Sequence, residues 1–458
     1  MNMKWWKTGM LFVALTWATG GFAGQRCRYR IELRDKVETQ FSLARPEEFL
    51  SERAIERRRK QGLEIDSTDL PVCETYIKGL EAKGGRCVLT SRWNNAVLME
   101  TDDQSVADRW RTLPMVKRIE MVWKDAGIKS ELEGDRKKEL NNELVREGNY
   151  YGRAWAQIAM HKGDSLHRMG YKGRGMHIAV IDAGFYNADG MKALKKMHLL
   201  GIKDFVDAEA DMFAEHNHGM KVLSCMAANA PRAMVGTAPE AAYLLLRTEE
   251  METEQPAEED AWTAAVEYAD SMGVDVVNTS LGYYQYDDPF GKYMYDELDG
   301  KTSLMTRTAS MMAQKGMLLV CSAGNTGDGS WKKITVPGDA KDVLTVGAVD
   351  KDSVNTVFSA VGNTADGRVK PDVMACGLEA AVLEVDGTVG RANGTSFASP
   401  IFCGLAACLW QACPWLNVYE LMDIIRKAGN GFTAPNNIYG YGIVDIMKAY
   451  RMGMELKH

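Results

Sequence analysis

Three short segments of this 458-residue chain carry side chains that could together attack a carbonyl carbon. Ser396 lies in NGTSFASP, at the start of an apolar stretch that is typical of a buried helix. His218 is followed by glycine and a second apolar helical pattern, and Asp182 ends the strand-like run MHIAVID. A serine hydroxyl needs a base to become a nucleophile, and imidazole suits that task because its pKa lies near neutral pH. Since a carboxylate can orient that imidazole and stabilise its charged form, the three residues favour acyl transfer.

Each of these residues also has an ordinary structural interpretation. Serine caps helix N-termini well, aspartate is common in turns, and a single histidine often makes only local hydrogen bonds. Asn325, in VCSAGNTGDG, is either an asparagine tolerated in a left-handed turn or an amide that donates into a cleft. The Asn325 amide and the backbone N–H of Ser396 are suited to stabilise an oxyanion. The joint occurrence of these groups favours the catalytic interpretation.

The elements around these residues predict an α/β fold, with a mainly parallel sheet sandwiched by helices. Short apolar runs alternate with helical patterns along residues 154–458: GMHIAVIDAG, AAYLLLRT, GVDVVNTSLG, GMLLVCSAGN and DVLTVGAVD. In such sheets the ligand site lies beyond the carboxyl ends of the strands. Asp182 and Asn325 both stand at the ends of such runs, so we expect them at one edge of the sheet.

Residues 25–123 predict a separate, small α+β domain of ferredoxin-like type, with the element order β-α-α-β-α-β. Residues 86–101 are typical of two strands or of one long bent strand. The basic run RRRK at 57–60 predicts a solvent-exposed helix face. Residues 124–153 are highly charged and poor in aliphatic side chains, which indicates a linker and a candidate processing zone.

Residues 1–24 have the three parts of a secretory signal peptide: early lysines, the apolar core LFVALTWA, and small residues. We therefore expect an exported protein, whether secreted, periplasmic or held at the cell surface. The alternative is an uncleaved N-terminal anchor. No second apolar stretch is long enough to span a membrane. The formal net charge of −7 gives no indication of a nucleic-acid partner.

The nine cysteines include no CxxC pair, which disfavours a zinc site. Export permits disulfides, and Cys73 with Cys87 is the first pair to test. Cys403, Cys408 and Cys413 fall in an apolar helical stretch and are predicted to be buried thiols.

Six motifs occur in an order that resembles the signature set of the subtilisin-like serine proteases, the subtilases of peptidase family S8. They are VIDAG, HNHGMKV, VVNTSLG, SAGN, GRVKPDVMACG and NGTSFASP, and the resemblance covers about residues 155–450. It implies a secreted serine endopeptidase that acts through an acyl-enzyme. Asp182 would orient His218, His218 would be the general base and acid, and Ser396 would be the nucleophile. Asn325 and the Ser396 N–H would form the oxyanion hole.

The same resemblance implies how protein or peptide substrates would bind. The segment of Ser280, Leu281 and Gly282 would pair with an extended substrate backbone. The segment of Ser322, Ala323 and Gly324 would line the first specificity pocket, and its small residues leave room for a sizeable P1 side chain.

Some positions depart from the family pattern. Ala183 stands where relatives more often have serine or threonine, HGMK replaces the commoner HGTH, and Phe397 replaces methionine. The calcium-binding loop of the family has no counterpart in the short MAANAPRAMVGTAP. We therefore expect no required cofactor and no metal site, and a structural calcium has no support in the sequence.

Residues 25–123 resemble, more loosely, the propeptide of secreted subtilases, which would act as an intramolecular chaperone and inhibitor until it is cleaved. The alternative is a permanently attached structural domain.

The acidic segment 247–262, whose carboxylates fall at 249–260, is either an exposed loop or a site for basic substrate side chains or a cation. Two further functions stay open: a catalytically inactive peptide-binding protein, and a transpeptidase or esterase that uses the same three residues.

Overall fold

The computed structural model describes residues 25–127, 140 and 142–457. The predicted signal peptide and part of the predicted processing zone lie outside the described residues.

The N-terminal domain is a four-stranded antiparallel sheet with helices, as the sequence predicts. Its strands lie in the order β2-β3-β1-β4, which is ferredoxin-like topology. Residues 86–101 form two strands rather than one bent strand, because Asn95 adopts a left-handed turn conformation with φ of 48°. The elements are β1 (Cys27–Leu33), α1 (Glu52–Lys60), α2 (Glu74–Glu81), β2 (Arg86–Ser91), β3 (Ala96–Thr101), α3 (Val106–Arg111) and β4 (Val116–Lys124).

The second domain is built on a seven-stranded parallel sheet in the order β13-β12-β11-β10-β5-β9-β6, which confirms the predicted α/β class. Apolar residues of α6 and α9 pack on one face of the sheet, and those of α7 and α8 pack on the other. The elements as far as α8 are α4 (Trp155–Ala159), α5 (Gly163–Arg168), β5 (His177–Asp182), β6 (His198–Asp204), α6 (His218–Ala227), β7 (Asn229–Ala230), β8 (Met234–Val235), β9 (Ala242–Arg247), α7 (Ala257–Ser271), β10 (Val276–Thr279) and α8 (Leu304–Met312). The others are β11 (Leu318–Ser322), β12 (Leu344–Val349), β13 (Val373–Cys376), β14 (Ala380–Leu383), β15 (Val389–Ala392), α9 (Thr395–Ala412), α10 (Val418–Lys427) and α11 (Ile446–Glu455).

This topology gathers chain segments that are far apart in the sequence. Because β5, β9, β10 and β11 are parallel neighbours, their carboxyl ends share one edge of the sheet. Asp182 ends β5, Ser280 follows β10, and Asn325 lies three residues beyond β11.

The predicted exposed face at 57–60 is wrong for two of its four residues. Arg57 and Arg58 are 5% and 1% exposed. Both guanidinium groups share one partner, Asp270 of α7. Oδ1 of Asp270 accepts a hydrogen bond from Arg57, and Oδ2 accepts one from Arg58 at 2.9 Å. Arg92 of the N-terminal domain adds a third guanidinium at 2.5 Å. A helix that looks amphipathic and exposed by itself is therefore the contact surface between the two domains.

The acidic segment is not an exposed loop throughout, because from Ala257 onwards it belongs to α7. Glu258, Glu259 and Asp260 are all buried. Glu259 accepts hydrogen bonds from the Tyr286 hydroxyl at 2.5 Å and from the Met305 N–H at 2.9 Å. Asp260 forms an ion pair with Arg30 of the N-terminal domain at 2.6 Å. Specific donors therefore compensate the burial of Glu259 and Asp260. Oε1 of Glu258, in contrast, is buried without a hydrogen-bond partner among the described residues.

Cys73 and Cys87 are both free thiols in the structure, so the candidate disulfide is not formed. Cys403, Cys408 and Cys413 are buried, as predicted. None of the helices in the described ranges is both long and apolar enough to cross a membrane.

Candidate active site

Asp182 and His218 form a direct hydrogen-bonded pair. The imidazole Nδ1 of His218 lies 2.6 Å from Oδ1 of Asp182, whose side chain is fully buried. A glycine after His218 permits this approach, since a Cβ on Gly219 would lie 2.7 Å from the Cβ of Asp182. The start of α6 can therefore pack directly on the end of β5.

The hydrogen bonding of Asp182 is uneven. Oδ1 accepts from the Ala183 N–H at 2.9 Å as well as from His218. Oδ2 is buried and has no hydrogen-bond partner among the described residues. Ala183 cannot supply a side-chain hydroxyl in this neighbourhood, whereas the serine or threonine that is commoner at this position could.

The charges around His218 favour its protonated form. Burial by itself would lower the pKa of His218, but the Asp182 carboxylate and, more weakly, Glu249 outweigh burial and raise it. Lys221 acts in the opposite direction. A base with a raised pKa holds the proton that it receives more tightly, so the pair is suited to remove a proton from a hydroxyl.

Ser396 is the second residue of α9 and is not the helix cap, which is Gly394. The N-cap interpretation of Ser396 is therefore wrong. The hydroxyl of Ser396 donates a hydrogen bond to the Ser280 carbonyl at 3.2 Å and not to His218. The ring of Phe397, the next residue, lies 5.9 Å from the imidazole ring of His218. The start of α9 thus lies beside the imidazole of His218, and the Ser396 hydroxyl is hydrogen-bonded to the Ser280 carbonyl.

A buried hydrogen-bond chain fixes the backbone of Ser396. Ser399 donates to Asn278 Oδ1 at 2.8 Å, and the Asn278 amide donates to the Ser280 hydroxyl at 3.1 Å. The Ser280 hydroxyl then donates to the Ser396 carbonyl at 2.8 Å. Sequence reasoning assigned no role to Asn278 or Ser399. The available signal was a polar side chain in the apolar strand VVNT and another in the apolar helix.

Asn325 and the Ser396 N–H flank one small space. Oδ1 of Asn325 accepts from both the N–H and the hydroxyl of Thr395, at 2.9 Å each. These hydrogen bonds orient the amide nitrogen of Asn325 toward Gly394. The small space lies where Gly394 has no side chain. A Cβ placed there would be 3.5 Å from Asn325 Nδ2 and 3.6 Å from the Ser396 nitrogen. Two N–H donors directed at one space can stabilise an oxyanion.

The two predicted substrate segments lie beside each other at the same edge of the sheet. Ser280 and Leu281 are buried, Gly282 is exposed, and all three lie just beyond the last ladder residue of β10. Ser322 ends β11, and Ala323 hydrogen-bonds to Val346 of β12 at 3.0 Å.

Carboxylates lie next to the Asp182–His218 pair. Glu249 follows β9 and accepts a hydrogen bond from the Tyr283 hydroxyl at 2.7 Å. Burial, and then the neighbouring charges of Glu254 and Asp182, raise the pKa of Glu249 to about 8. The described residues contain no group of three or more His, Cys, Asp or Glu side chains arranged to hold a metal ion. A preference for basic substrate side chains was one of the alternatives for the acidic segment, and it stays untested.

Comparison with protein-family models decides the family. The model of the subtilase family, peptidase S8, matches residues 173–442, which is more than half of the chain. The chain belongs to the subtilase family. A model of the peptidase S8 propeptide domain of Bacteroidota matches residues 28–139 of this subtilase.

Individual members of the family resemble this chain in sequence or in fold. This subtilase is 28% identical over 299 residues to subtilisin NAT of Bacillus subtilis subsp. natto, covering 64% of this chain and 70% of the relative. It is 28% identical over 294 residues to subtilisin DY of Bacillus licheniformis, covering 64% of this chain and 97% of the relative. The solved structure of the MycP3 protease from the type VII (ESX-3) secretion system shares the fold. Its TM-score is 0.52 at 21% identity, with 68% of this chain and 94% of that chain covered.

Proposed function

We propose that this subtilase is an exported serine endopeptidase. The observation that carries the proposal is the 2.6 Å hydrogen bond between Asp182 and His218, beside a serine at the start of a buried helix. Family membership and the two N–H donors around Gly394 support it. The proposed substrates are proteins and peptides that bind in an extended conformation along residues 280–282.

The proposed reaction proceeds in two half-reactions. His218 Nε2 accepts the proton of the Ser396 hydroxyl while the serine oxygen attacks the peptide carbonyl carbon. The oxyanion accepts hydrogen bonds from Asn325 Nδ2 and the Ser396 N–H. The C–N bond then breaks, and the amine leaves with the proton that His218 held. Water, deprotonated by His218, attacks the acyl carbon of the acyl-enzyme in the same way. The ester C–O bond then breaks, the Ser396 oxygen takes back the proton that His218 holds, and the new carboxyl group leaves. Asp182 keeps the imidazole oriented and stabilises its charged form.

Digestion of a denatured protein tests this proposal. We expect the purified wild type, once its N-terminal domain has been removed, to cleave internal peptide bonds. The S396A variant, treated in the same way, should cleave none, with products mapped by mass spectrometry. Water should be the acceptor even when a free amine is added. An excess of amine-capped products would instead indicate a transpeptidase, and absence of cleavage by both proteins would contradict catalysis.

We also propose that the N-terminal domain inhibits the catalytic domain until it is cleaved. The backbone N–H of Lys124 donates to the Gln255 side chain at 2.8 Å, and the Gln255 amide donates back to the Lys124 carbonyl at 3.2 Å. The last residue of β4 is thereby held on the loop that also carries Glu249. Intact masses provide the test, because self-processing should shorten the wild type but not S396A. Equal masses after signal removal would contradict self-processing.

The pH dependence of kcat/KM should report the raised pKa of His218. The base must be neutral to accept the serine proton, so kcat/KM should rise with pH through a midpoint above 6.5, the ordinary pKa of histidine. The value of kcat/KM should fall at low pH because Asp182 stabilises the protonated form of His218, which cannot accept a proton. A substrate without titratable groups ensures that the rise of kcat/KM with pH reports a group of the enzyme. Constant kcat/KM down to pH 5.5 would contradict the assignment of His218 as the base.

Removal of the Asn325 amide should slow chemistry more than it weakens binding. We expect N325A to lower kcat by about 10²- to 10³-fold with little change in KM, because the oxyanion loses one of two donors. N437A is a matched control, since it removes an amide that bonds to Gly362 outside the site. A kcat within threefold of the wild type would rule out the proposed oxyanion role.

A further inference from the structure

Glu258 of α7 lies between the two domains and lacks the donors that its neighbours have. Its side chain is buried, and Oε1 has no hydrogen-bond partner among the described residues. Glu259 and Asp260, by contrast, accept hydrogen bonds from a tyrosine, a backbone N–H or an arginine. An ionised carboxylate is costly to bury without such donors, whereas a protonated carboxyl is much less so. The surroundings of Glu258 therefore favour the protonated form.

A small cavity of about 20 Å³ lies beside Glu258, where the N-terminal domain covers α7. It is also lined by Trp123 of β4 and by Thr248, and Trp123 Nε1 and Thr248 Oγ1 are likewise buried without a partner among the described residues. The apolar residues around the cavity are Leu89, Phe205, Val206, Ala257 and Ala261. A space of this size has room for about one water, which is too little to solvate an ionised carboxylate.

Most of the charged groups that face Glu258 are themselves acidic. They lie on the segment between β9 and α7 and are Glu249, Glu250 and Glu254. Tyr283 faces the same space, and its hydroxyl donates to Glu249 at 2.7 Å. Burial, and then the charges of Glu249 and Glu254, raise the pKa of Glu258 well above its ordinary value of 4.5.

The cation that lines the cavity, Arg28 of β1, does not compensate this acidic cluster. Its guanidinium forms an ion pair of 2.9 Å with Glu100 of its own domain, and it lies over the ring of Trp123 at 4.5 Å from the centroid. The N-terminal domain thus covers Glu258 with apolar surface and with an arginine that already has a partner. Covering Glu258 in this way favours the carboxyl that keeps its proton.

The burial of Glu258 links the binding of the N-terminal domain to pH. Departure of that domain removes Trp123 and Arg28 and admits water to Glu258, which stabilises the ionised form. The bound state therefore holds one proton more than the released state at pH values above about 4.5. Because of that extra proton, the domain should bind more weakly as pH rises, by up to about tenfold for each pH unit.

We propose that Glu258 is a proton-dependent switch for the N-terminal domain, which stays bound while this carboxyl keeps its proton and is released when the proton passes to the solvent. This inference deepens the proposed inhibition by the N-terminal domain and rests on it. A rise in pH converts the processed, inhibited complex into free enzyme without any further cleavage.

Urea unfolding in the S396A background tests the switch without any peptidase activity. E258Q keeps the shape of the protonated carboxyl but cannot ionise. We expect the unfolding equilibrium constant of the parent, divided by that of E258Q, to grow at least about tenfold from pH 6 to pH 8. E64Q is the control, because it removes an exposed carboxyl of the N-terminal domain, and its ratio should change by less than about twofold. If E258Q does not fold, E258L provides a side chain that matches the apolar walls of the cavity and cannot ionise.

Size-exclusion chromatography of the processed wild type tests the release itself, with the fraction of catalytic domain that elutes together with the N-terminal domain as the readout. We expect the two domains to elute together at pH 6 and the catalytic domain to elute alone at pH 8. In processed E258Q they should elute together at both pH values.

The outcomes separate the switch from the function beneath it. A ratio of parent to E258Q that is the same at pH 6 and pH 8, or identical elution of wild type and E258Q, overturns the switch and leaves the endopeptidase proposal standing. A wild type that is never processed overturns self-processing and with it the release step. The S396A comparison then still decides whether Glu258 holds a proton in the two-domain protein.

Discussion

Replacing Ser396 by alanine is expected to lower kcat for peptide hydrolysis by about a million-fold, and H218A should lower it by a similar factor. Ser396 supplies the nucleophile and His218 deprotonates it, so the loss of either residue removes the same catalytic step. The double variant should therefore be no slower than either single variant. The measurement is kcat at saturating peptide, with enzyme concentrations taken from absorbance.

S399A is the matched control for that experiment. It removes a serine hydroxyl from the same helix but acts on Ser396 only through Asn278 and Ser280. We expect it to lower kcat by about tenfold at most, the scale of one hydrogen bond. The account would be contradicted if S396A were only tenfold slower than the wild type and the losses of S396A and H218A multiplied in the double variant. That result would show that Ser396 and His218 do not act as a unit.

Replacing Asp270 by alanine is expected to destabilise the two-domain protein by about 3–5 kcal/mol. Burial alone would raise the pKa of Asp270, but Arg58, Arg57 and Arg92 together lower it to about 2. Loss of the carboxylate leaves three guanidinium groups buried between the domains without their common partner. Urea unfolding in the S396A background avoids self-digestion and measures the change in free energy.

The control for Asp270 is Asp423, whose ion pair with Lys427 is exposed on α10. D423A should change the free energy of unfolding by less than about 1 kcal/mol, because exposed pairs contribute little. A depressed pKa stabilises the folded state above the ordinary value of 3.8, so the Asp270 contribution should be lost as pH falls from about 4 to about 2. A D270A effect equal to that of D423A would contradict the structural importance of this cluster.

Local patterns were sufficient to predict the elements that carry the site. Asp182 ends an apolar run that is a buried strand, and His218 and Ser396 precede apolar stretches that are helices. Strand and helix periodicity depends on neighbours within a few residues, so it is readable from sequence. The parallel arrangement then follows from alternation of strands and helices.

Residues whose environment is set by distant segments could not be predicted. Arg57 and Arg58 look exposed because their helix is charged, yet Asp270 lies more than 200 residues along the chain. Glu259 belongs to an acidic stretch typical of a loop, but two tyrosines and a helix N-terminus bury it.

The central claim is that Asp182 and His218 activate Ser396 as a nucleophile, and covalent labelling tests it most directly. A fluorophosphonate should add to Ser396 in the wild type once the N-terminal domain has been removed, and peptide mapping should locate the adduct on that residue. H218A should label at least about a thousandfold more slowly, since it lacks the base. An unlabelled wild type, or an H218A variant that labels equally fast, would contradict the account.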